Sequence, residues 1–245
     1  MSYYFSLCGD STSFWIRPVC RCVNKKHCCY TRRLLEKDNY RIENFSRPGL
    51  TSFDALEMTW NKIVPKNFDI NFYSFGINDA SLRSYPNWMA RKFGGVIATN
   101  LSILDRLFLL IYRFLANNWT QKQMSRFGFS KPWVTLDQFK YNVEKIINIL
   151  SKENNCLIIF TTIPNVSERV EKILKGLNKV IINYNKVLLK LSNKYDNVVI
   201  IDLNKTFLSD PNIYIPEGIH FSCKGHNLVY NKINEVIDEW AVENN

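Results

Sequence analysis

The sequence predicts an α/β protein with a parallel β-sheet covered by helices on both sides. Short runs of β-branched and aromatic residues alternate along the chain with longer segments of helical period. Most of the short runs are apolar without interruption, which is typical of strands buried on both faces. Because such alternation implies right-handed crossovers, we expect ligands to bind beyond the carboxyl ends of the strands.

Five strands are expected, and they cover residues 2–7, 40–45, 68–74, 156–161 and 197–201. A helix over residues 52–63 follows the second strand. Apolar residues spaced i, i+3, i+4 predict three further helices, over residues 136–150, 173–191 and 229–240. Each of these helices can bury one face on the sheet.

The length of 245 residues suits a single domain, residues 1–245. Hydrophobic residues make up 46% of the chain, which excludes a disordered protein. Only 9 Gly and 8 Pro exclude a collagen-like or low-complexity protein. The formal net charge of +10 favours an anionic partner or surface.

Two predicted insertions, at about residues 15–39 and 80–132, hold the excess positive charge. Residues 80–132 contain eight basic residues and one acidic residue. Residues 15–47 contain nine basic residues and three acidic residues. Both insertions leave from strand ends, where a ligand would bind, so we expect an anionic substrate. We expect no nucleic-acid partner, because the chain contains no recognised nucleic-acid module.

Five of the seven cysteines lie in the first 29 residues: Cys8, Cys20, Cys22, Cys28 and Cys29. This uneven spread is not typical of a secreted disulfide scaffold, so we expect mostly reduced thiols in a cytoplasmic protein without a signal peptide. His27 among these cysteines leaves a zinc site as an alternative. The spacing lacks two well-formed knuckles, so we expect neither a metal nor a cofactor.

Residues 101–115 form the most apolar later stretch, which is too short to span a bilayer. Arg106 and Arg113 lie seven residues apart, on one face of the expected helix. We expect this helix to cover the site or to form a dimer contact. A helix lying on an anionic membrane surface, as a peripheral contact, is the alternative. No feature of the sequence sets the oligomeric state.

Two short motifs follow the first two strands. In Gly9-Asp10-Ser11, the serine directly follows a buried strand, where a nucleophile would be exposed; an ordinary turn or helix N-cap is the alternative. In the segment Arg47 to Ser52, Gly49 would let the backbone approach a ligand closely, or would simply form a turn before a helix.

Two further motifs follow the third and fifth strands. Asn78, in Gly-Ile-Asn-Asp, places an amide donor where it could stabilise an oxyanion, or it forms an Asx-turn. Glu217 lies three residues before His220, so its carboxylate could orient the imidazole. Ser222 and His226 are interpreted as the N-cap and first turns of the last helix.

Taken in order, these motifs resemble the conserved blocks of the SGNH (GDSL-type) hydrolase family. The blocks are GDST at 9–12, PGLTS at 48–52, GIND at 76–79 and EGIHFSCKGH at 217–226. The resemblance covers nearly the whole chain except the two insertions. It implies a three-layer α/β/α, flavodoxin-like fold with a five-stranded parallel sheet.

The resemblance also assigns roles. It implies that Ser11 is the nucleophile and His220 the general base, and that the N–H groups of Ser11, Gly49 and Asn78 form the oxyanion hole. The sequence departs from the family at Glu217, where the family has aspartate. One more methylene displaces the carboxylate unless the loop adjusts, so the third catalytic residue stays open between Glu217 and a backbone carbonyl.

The expected function is that of a serine-dependent hydrolase of carboxylic O-acyl esters, with acetyl as the expected acyl group and a carbohydrate as the expected carrier. Family members of this kind occur in bacterial surface-polysaccharide pathways. One alternative is an O-acyltransferase that uses the same acyl-enzyme. A second is an inactive glycan- or lipid-binding module. The substrate would accordingly be an O-acylated small molecule, glycan or lipid.

Overall fold

The computed structural model describes residues 3–13, 29–93, 102–153, 156–207 and 210–243. Five strands form one parallel sheet in the order β2-β1-β3-β6-β7. These strands are β1 (Tyr3–Gly9), β2 (Tyr40–Asn44), β3 (Ile70–Ser74), β6 (Leu157–Thr161) and β7 (Val198–Ile201). Two short strands, β4 (Leu82–Arg83) and β5 (Lys131–Pro132), pair antiparallel outside this sheet.

The helices between the strands are α1 (Tyr30–Leu35), α2 (Ser52–Met58), α3 (Ile77–Ala80), α4 (Asn87–Phe93), α5 (Ile103–Ala116), α6 (Asn118–Arg126), α7 (Leu136–Glu153), α8 (Glu168–Ile173), α9 (Leu177–Ser192), α10 (Leu203–Phe207) and α11 (Cys223–Glu243). Most of them have an apolar stripe that packs on the sheet, as the periodicity predicts. A π-helical turn (Thr59–Ile63) continues α2 to the end of the expected 52–63 helix.

Both faces of the sheet are buried, and successive residues of one strand belong to different cores. In β6, Ile158 and Phe160 pack with α2, α7 and α9, whereas Leu157 and Ile159 pack with α1, α10 and α11. All five residues of β6 are buried. The predicted three-layer α/β/α fold with a five-stranded parallel sheet is therefore confirmed.

The second expected insertion leaves from the antiparallel pair β4–β5, in which Leu82 faces Pro132. Its helices α4 and α5 form a small apolar cluster of their own around Tyr85, Met89, Phe93 and Leu109. The short strand pair was not predicted, because two-residue strands carry no periodic signal.

One expected helix, over residues 173–191, is two helices in the structure. Gly176 adopts a φ of 91° and separates α8 from α9. The Glu171 carboxylate accepts hydrogen bonds from the backbone N–H groups of Gly176 (2.7 Å) and Asn178 (2.9 Å), which stabilises the turn. The apolar stripe continues across this break, which explains why it predicts one helix.

Cys8, Cys29 and Cys156 are free and buried, as expected for reduced thiols, whereas Cys223 is disulfide-bonded and departs from that expectation. Cys20, Cys22, His27 and Cys28, on which the zinc alternative depends, lie outside the described residues. Within the described ranges, no helix is long and apolar enough to cross a membrane.

Candidate active site

The four sequence motifs lie at the carboxyl ends of the strands. Ser11 follows β1, Gly49 follows β2 and Asn78 follows β3. The connection after β1 runs to β2 on one side, whereas the connection after β3 runs to β6 on the other, and ligands of open α/β sheets bind at such a switch point.

The loop before α11 brings His220 to Ser11. The imidazole Nε2 of His220 lies 3.0 Å from the Ser11 Oγ, across 209 positions of sequence. On the other side of the ring, His220 Nδ1 lies 2.5 Å from Oε1 of Glu217. A carboxylate can only accept, so Nδ1 carries the proton and the lone pair of Nε2 faces the serine.

Glu217 occupies the position at which the sequence departs from the family, and its carboxylate still reaches the imidazole. The same Oε1 also accepts a hydrogen bond from the backbone N–H of His220, at 2.6 Å. Burial raises the pKa of Glu217, but hydrogen bonds from His220 and the charge of His220 outweigh that effect and lower it overall. Glu217 is therefore ionised where it contacts His220.

Two backbone hydrogen bonds shape the Glu217 loop. Ile215 N–H donates to the His220 carbonyl (3.0 Å), and Gly218 N–H donates to the Ile215 carbonyl (2.9 Å). Gly218 has a φ of 88°, a conformation that only glycine adopts readily. This turn lets the longer side chain fold back onto the residue three positions later.

The Asp10 side chain stabilises the turn around Ser11. The Asp10 Oδ1 accepts hydrogen bonds from the Thr12 N–H and the Thr12 hydroxyl, both at 2.8 Å, and Ser11 begins a short 3₁₀ helix. Gly9 is required because a Cβ there would lie 1.9 Å from the Ser13 Oγ. Ser11 itself is only partly buried, so its hydroxyl is accessible.

The expected oxyanion donors come from three separate turns. The Asn78 Nδ2 donates one hydrogen bond to the Leu50 carbonyl (3.1 Å), which orients the amide beside the Gly49 turn. The second N–H of this amide is left to donate to a substrate oxygen. Gly49 has a φ of 75°. The hydrogen bonds of the described residues assign no acceptor to the backbone N–H of Ser11 or Gly49.

Two buried carboxyl groups beneath the site were not singled out from the sequence. Burial raises the pKa of Asp10 to about 6 and that of Asp79 to about 7. Asp79 accepts the Ser52 N–H at 2.9 Å, which ties the turn after β3 to the start of α2. Asp79 directly follows Asn78 in the Gly-Ile-Asn-Asp motif, so this motif was the sequence signal that could have identified Asp79.

His226 is structural, as interpreted from the sequence. The ring is buried against Tyr30 and Phe221, and burial lowers its pKa to about 3. Ser222 precedes α11, and its carbonyl accepts the His226 N–H at 2.9 Å. The Gly225 N–H donates to the Ser222 hydroxyl at 3.3 Å, which makes Ser222 the N-cap.

A cleft borders Gly49, with a volume of about 330 Å³. Among others, Arg47, Asp54, Arg91 and Trp133 line it. Arg91 comes from α4, so the insertion contributes a wall next to the expected oxyanion hole. The sequence gives no signal for the meeting of Arg47 and Arg91, which lie 44 positions apart.

The sequence matches no protein-family model and has no significant match among curated proteins. Solved structures match over nearly the full length. A lipase/acylhydrolase from Enterococcus faecalis is 18% identical with a TM-score of 0.60, over 97% of this chain and 95% of that chain. A member of the lipolytic G-D-S-L family from Veillonella parvula is 14% identical with a TM-score of 0.57, over 95% and 97%.

A catalytic variant of Axe2, an acetylxylan esterase from Geobacillus stearothermophilus, is 15% identical with a TM-score of 0.57, over 94% of this chain and 92% of that chain. Identities this low establish the fold rather than the activity. The chain has the α/β/α fold of the SGNH (GDSL-type) hydrolases, as its four motifs predict.

Proposed function

We propose that this protein is a serine esterase that hydrolyses carboxylic O-acyl esters through an acyl-enzyme on Ser11. The observation that carries this proposal is the chain of contacts from Glu217 through His220 to Ser11, with distances of 2.5 and 3.0 Å. A nucleophile, a base and a carboxylate that orients the base are the parts of a catalytic triad.

In the proposed reaction, Ser11 Oγ attacks the ester carbonyl carbon as His220 Nε2 takes the hydroxyl proton. The carbonyl electron pair moves to oxygen, and the N–H groups of Ser11, Gly49 and Asn78 stabilise this oxyanion. The C–O bond to the alcohol then breaks, and His220 returns the proton to the leaving oxygen. Water, deprotonated by His220, attacks the acyl-enzyme, releases the carboxylic acid and restores Ser11.

An acetyl group on a carbohydrate is the substrate we favour. Support comes from the structural likeness to an acetylxylan esterase. The proposal that the substrate is anionic rests on the net charge of +10.

The test is turnover of acetyl esters by the purified protein. We expect wild type to hydrolyse phenyl acetate and Ser11→Ala to lose at least 10³-fold in kcat while its circular dichroism and urea midpoint stay unchanged. A folded Ser11→Ala variant that retains turnover would refute the assignment. Ser192→Ala, which changes a partly buried serine at the end of α9, serves as the matched control.

Acyl transfer to a sugar hydroxyl is the second candidate, because the same acyl-enzyme serves both reactions and only the acceptor differs. Mass spectrometry of an acetylated oligosaccharide, incubated with excess free oligosaccharide, separates them. Release of acetate alone supports hydrolysis, whereas acetyl groups on the acceptor support transfer. An inactive binding module would leave the acetylated oligosaccharide intact.

A further inference from the structure

Arg47 and Arg91 share a single carboxylate beside the active site. The Nη2 atoms of Arg47 and Arg91 lie 2.5 and 2.9 Å from Oδ1 of Asp54. The Asp54 side chain is only 4% exposed, whereas those of the two arginines are 48% and 56% exposed. Two cations on one carboxylate leave one positive charge uncompensated at the mouth of the cleft.

Asp54 has no further capacity for these arginines. Its other oxygen, Oδ2, accepts the N–H of Thr51 (2.8 Å), the Thr51 hydroxyl (2.7 Å) and a second contact from Arg91 Nη2 (3.0 Å). Each guanidinium has five N–H donors, and the contacts with Asp54 use only the Nη2 groups. The remaining donors of both arginines are therefore available to a ligand.

The position of these donors connects them to the reaction. The backbone N–H of Arg47 donates to the Gly9 carbonyl at 2.9 Å, two residues before Ser11. Gly49, an expected oxyanion donor, lines the same cleft as the arginines. A substrate whose carbonyl oxygen reaches Gly49 extends into the cleft, where Asp54 is the only acidic residue among the described residues of the lining.

We propose that the cleft between Arg47 and Arg91 binds an oxyanion, a carboxylate or a phosphate, carried by the ester substrate. Guanidinium groups match the planar geometry of these anions and bind them with paired hydrogen bonds. This inference rests on the proposed esterase function, and it assigns to one insertion residue, Arg91, a role in substrate selection.

The test compares three acetyl esters: phenyl acetate, 4-acetoxybenzoate and 4-acetoxyphenyl phosphate. We expect Arg91→Gln to lower kcat/KM for both anionic esters at least tenfold more than for phenyl acetate, mainly through KM, because one charged hydrogen-bonding partner is lost. Loss on only one anionic ester identifies the preferred anion. The matched control is Arg126→Gln, an exposed residue of the same insertion that does not line the cleft.

An equal loss on charged and neutral esters would overturn the inference while leaving the esterase proposal intact. Failure of wild type to hydrolyse phenyl acetate would instead refute the esterase proposal. A urea titration of Arg91→Gln shows whether the variant is folded. If it is not, raising the salt concentration on wild type provides the same comparison, since screening weakens binding of the charged esters alone.

A separate feature, the outer face of α5, supports a second inference. Six large apolar side chains on this face are 40–89% exposed: Ile103, Leu104, Leu107, Leu110, Ile111 and Phe114. They recur at helical spacing, and the opposite face packs through Leu109 onto α4. The expected covering helix thus has one face packed on α4 and one apolar face that is exposed within the part of the chain that the structure describes.

The charge around this face favours one kind of partner. Arg106 and Arg113 are exposed and lie on one border of the apolar face. The acidic residue of α5, Asp105, is paired with Lys92 at 2.5 Å. An amphipathic helix with an apolar face and a basic border is typical of helices that lie on anionic bilayers.

We also infer that α5 binds peripherally to an anionic membrane surface, with its apolar face at the level of the lipid headgroups. This inference does not depend on the proposed chemistry. It would place an ester carried by a lipid or a membrane-linked glycan close to the site.

Sedimentation with vesicles tests this surface. We expect wild type to bind vesicles of phosphatidylcholine with phosphatidylglycerol at least tenfold more tightly than vesicles of phosphatidylcholine alone. Replacing Leu107, Leu110 and Phe114 together with Gln should reduce binding at least tenfold, since three apolar side chains no longer enter the bilayer. Trp60→Gln, which removes another exposed hydrophobic residue outside α5, should bind as wild type does.

Absence of vesicle binding by wild type, or equal binding by the triple variant, would overturn the inference. So would a stable dimer in sedimentation velocity that the triple variant abolishes, because a second copy of the chain would then cover the face.

Discussion

At the residue scale, the site depends on one carboxylate oxygen that serves two donors. Oε1 of Glu217 accepts both the ring Nδ1–H and the backbone N–H of His220. This double contact fixes the position of the longer side chain, so glutamate replaces aspartate without losing contact with the imidazole. The sequence left this point open because one methylene decides it, and the conformation of the loop cannot be derived from the spacing.

Glu217→Gln should lower kcat by about 10³–10⁴-fold with little change in KM. The amide keeps the shape of the side chain, but it does not stabilise the imidazolium that forms when His220 takes the serine proton. Steady-state kinetics with phenyl acetate provide the measurement. Glu235→Gln, on the exposed side of α11, is the control, and a Glu217→Gln variant as active as that control would show that Glu217 does not act on His220.

Sequence reasoning singled out Ser11, Gly49, Asn78 and His220 because the motifs that contain them follow the predicted strands in the same order as the blocks of the SGNH family. It did not identify the ion pair between Arg91 and Asp54 beside the site. Ion pairs between side chains of distant segments follow from tertiary packing, and nothing in the local sequence of α4 indicates which strand end it reaches.

At the element scale, the turns after the strands fix the geometry of the site. Glycine is required where backbone segments touch: a Cβ on Gly218 would lie 1.8 Å from the Ser167 Oγ and 2.7 Å from the Ser167 Cβ. The Gly218 carbonyl also accepts the Ser167 N–H at 3.0 Å, so the start of α8 supports the loop that holds Glu217 and His220.

Gly218→Ala should therefore destabilise the fold and reduce turnover together. Gly128→Ala is the matched control, because Gly128 has a similar positive φ of 75° but nothing within 4 Å of the added Cβ. We expect the control to cost about 1 kcal/mol of unfolding free energy through its backbone conformation alone, with turnover unchanged. Urea unfolding and phenyl acetate kinetics on both variants check this, and equal losses in the two would mean that the Ser167 contact is unimportant.

The five main strands were predictable because each is a short run of β-branched and aromatic residues, most of them apolar without interruption, and that pattern depends on local sequence alone. The break between α8 and α9 was not, since its apolar stripe is continuous and only Gly176 marks the turn. The strand pair β4–β5 was missed for a similar reason: two residues cannot show a period.

At the scale of the whole molecule, the sheet buries acidic groups beneath the site. Burial and, to a smaller extent, the charge of the nearby Asp10 raise the pKa of Asp79 to about 7. A group whose pKa is higher in the folded state stabilises the fold at pH values below its unfolded pKa, and this contribution is lost as the pH rises through the folded pKa. For Asp79 that window extends from about pH 4 to about pH 7.

Asp79→Asn should remove this dependence, because asparagine does not ionise and its carbonyl still accepts the Ser52 N–H. The difference in unfolding free energy between the variant and wild type should therefore shift in favour of the variant as the pH rises from 5 to 8. Urea unfolding at these two pH values measures the change. The exposed Asp196→Asn should run parallel to wild type, and a parallel profile for Asp79→Asn as well would show that Asp79 is ionised throughout.

Covalent labelling is the sharpest test of whether His220 activates Ser11 as a nucleophile. Purified protein is treated with a fluorophosphonate, and the modified peptide is identified by mass spectrometry. We predict one phosphonyl group on Ser11 in wild type, and none in Ser11→Ala or in His220→Ala. Folded wild-type protein that stays unlabelled, or that carries the label on a residue other than Ser11, would contradict this prediction.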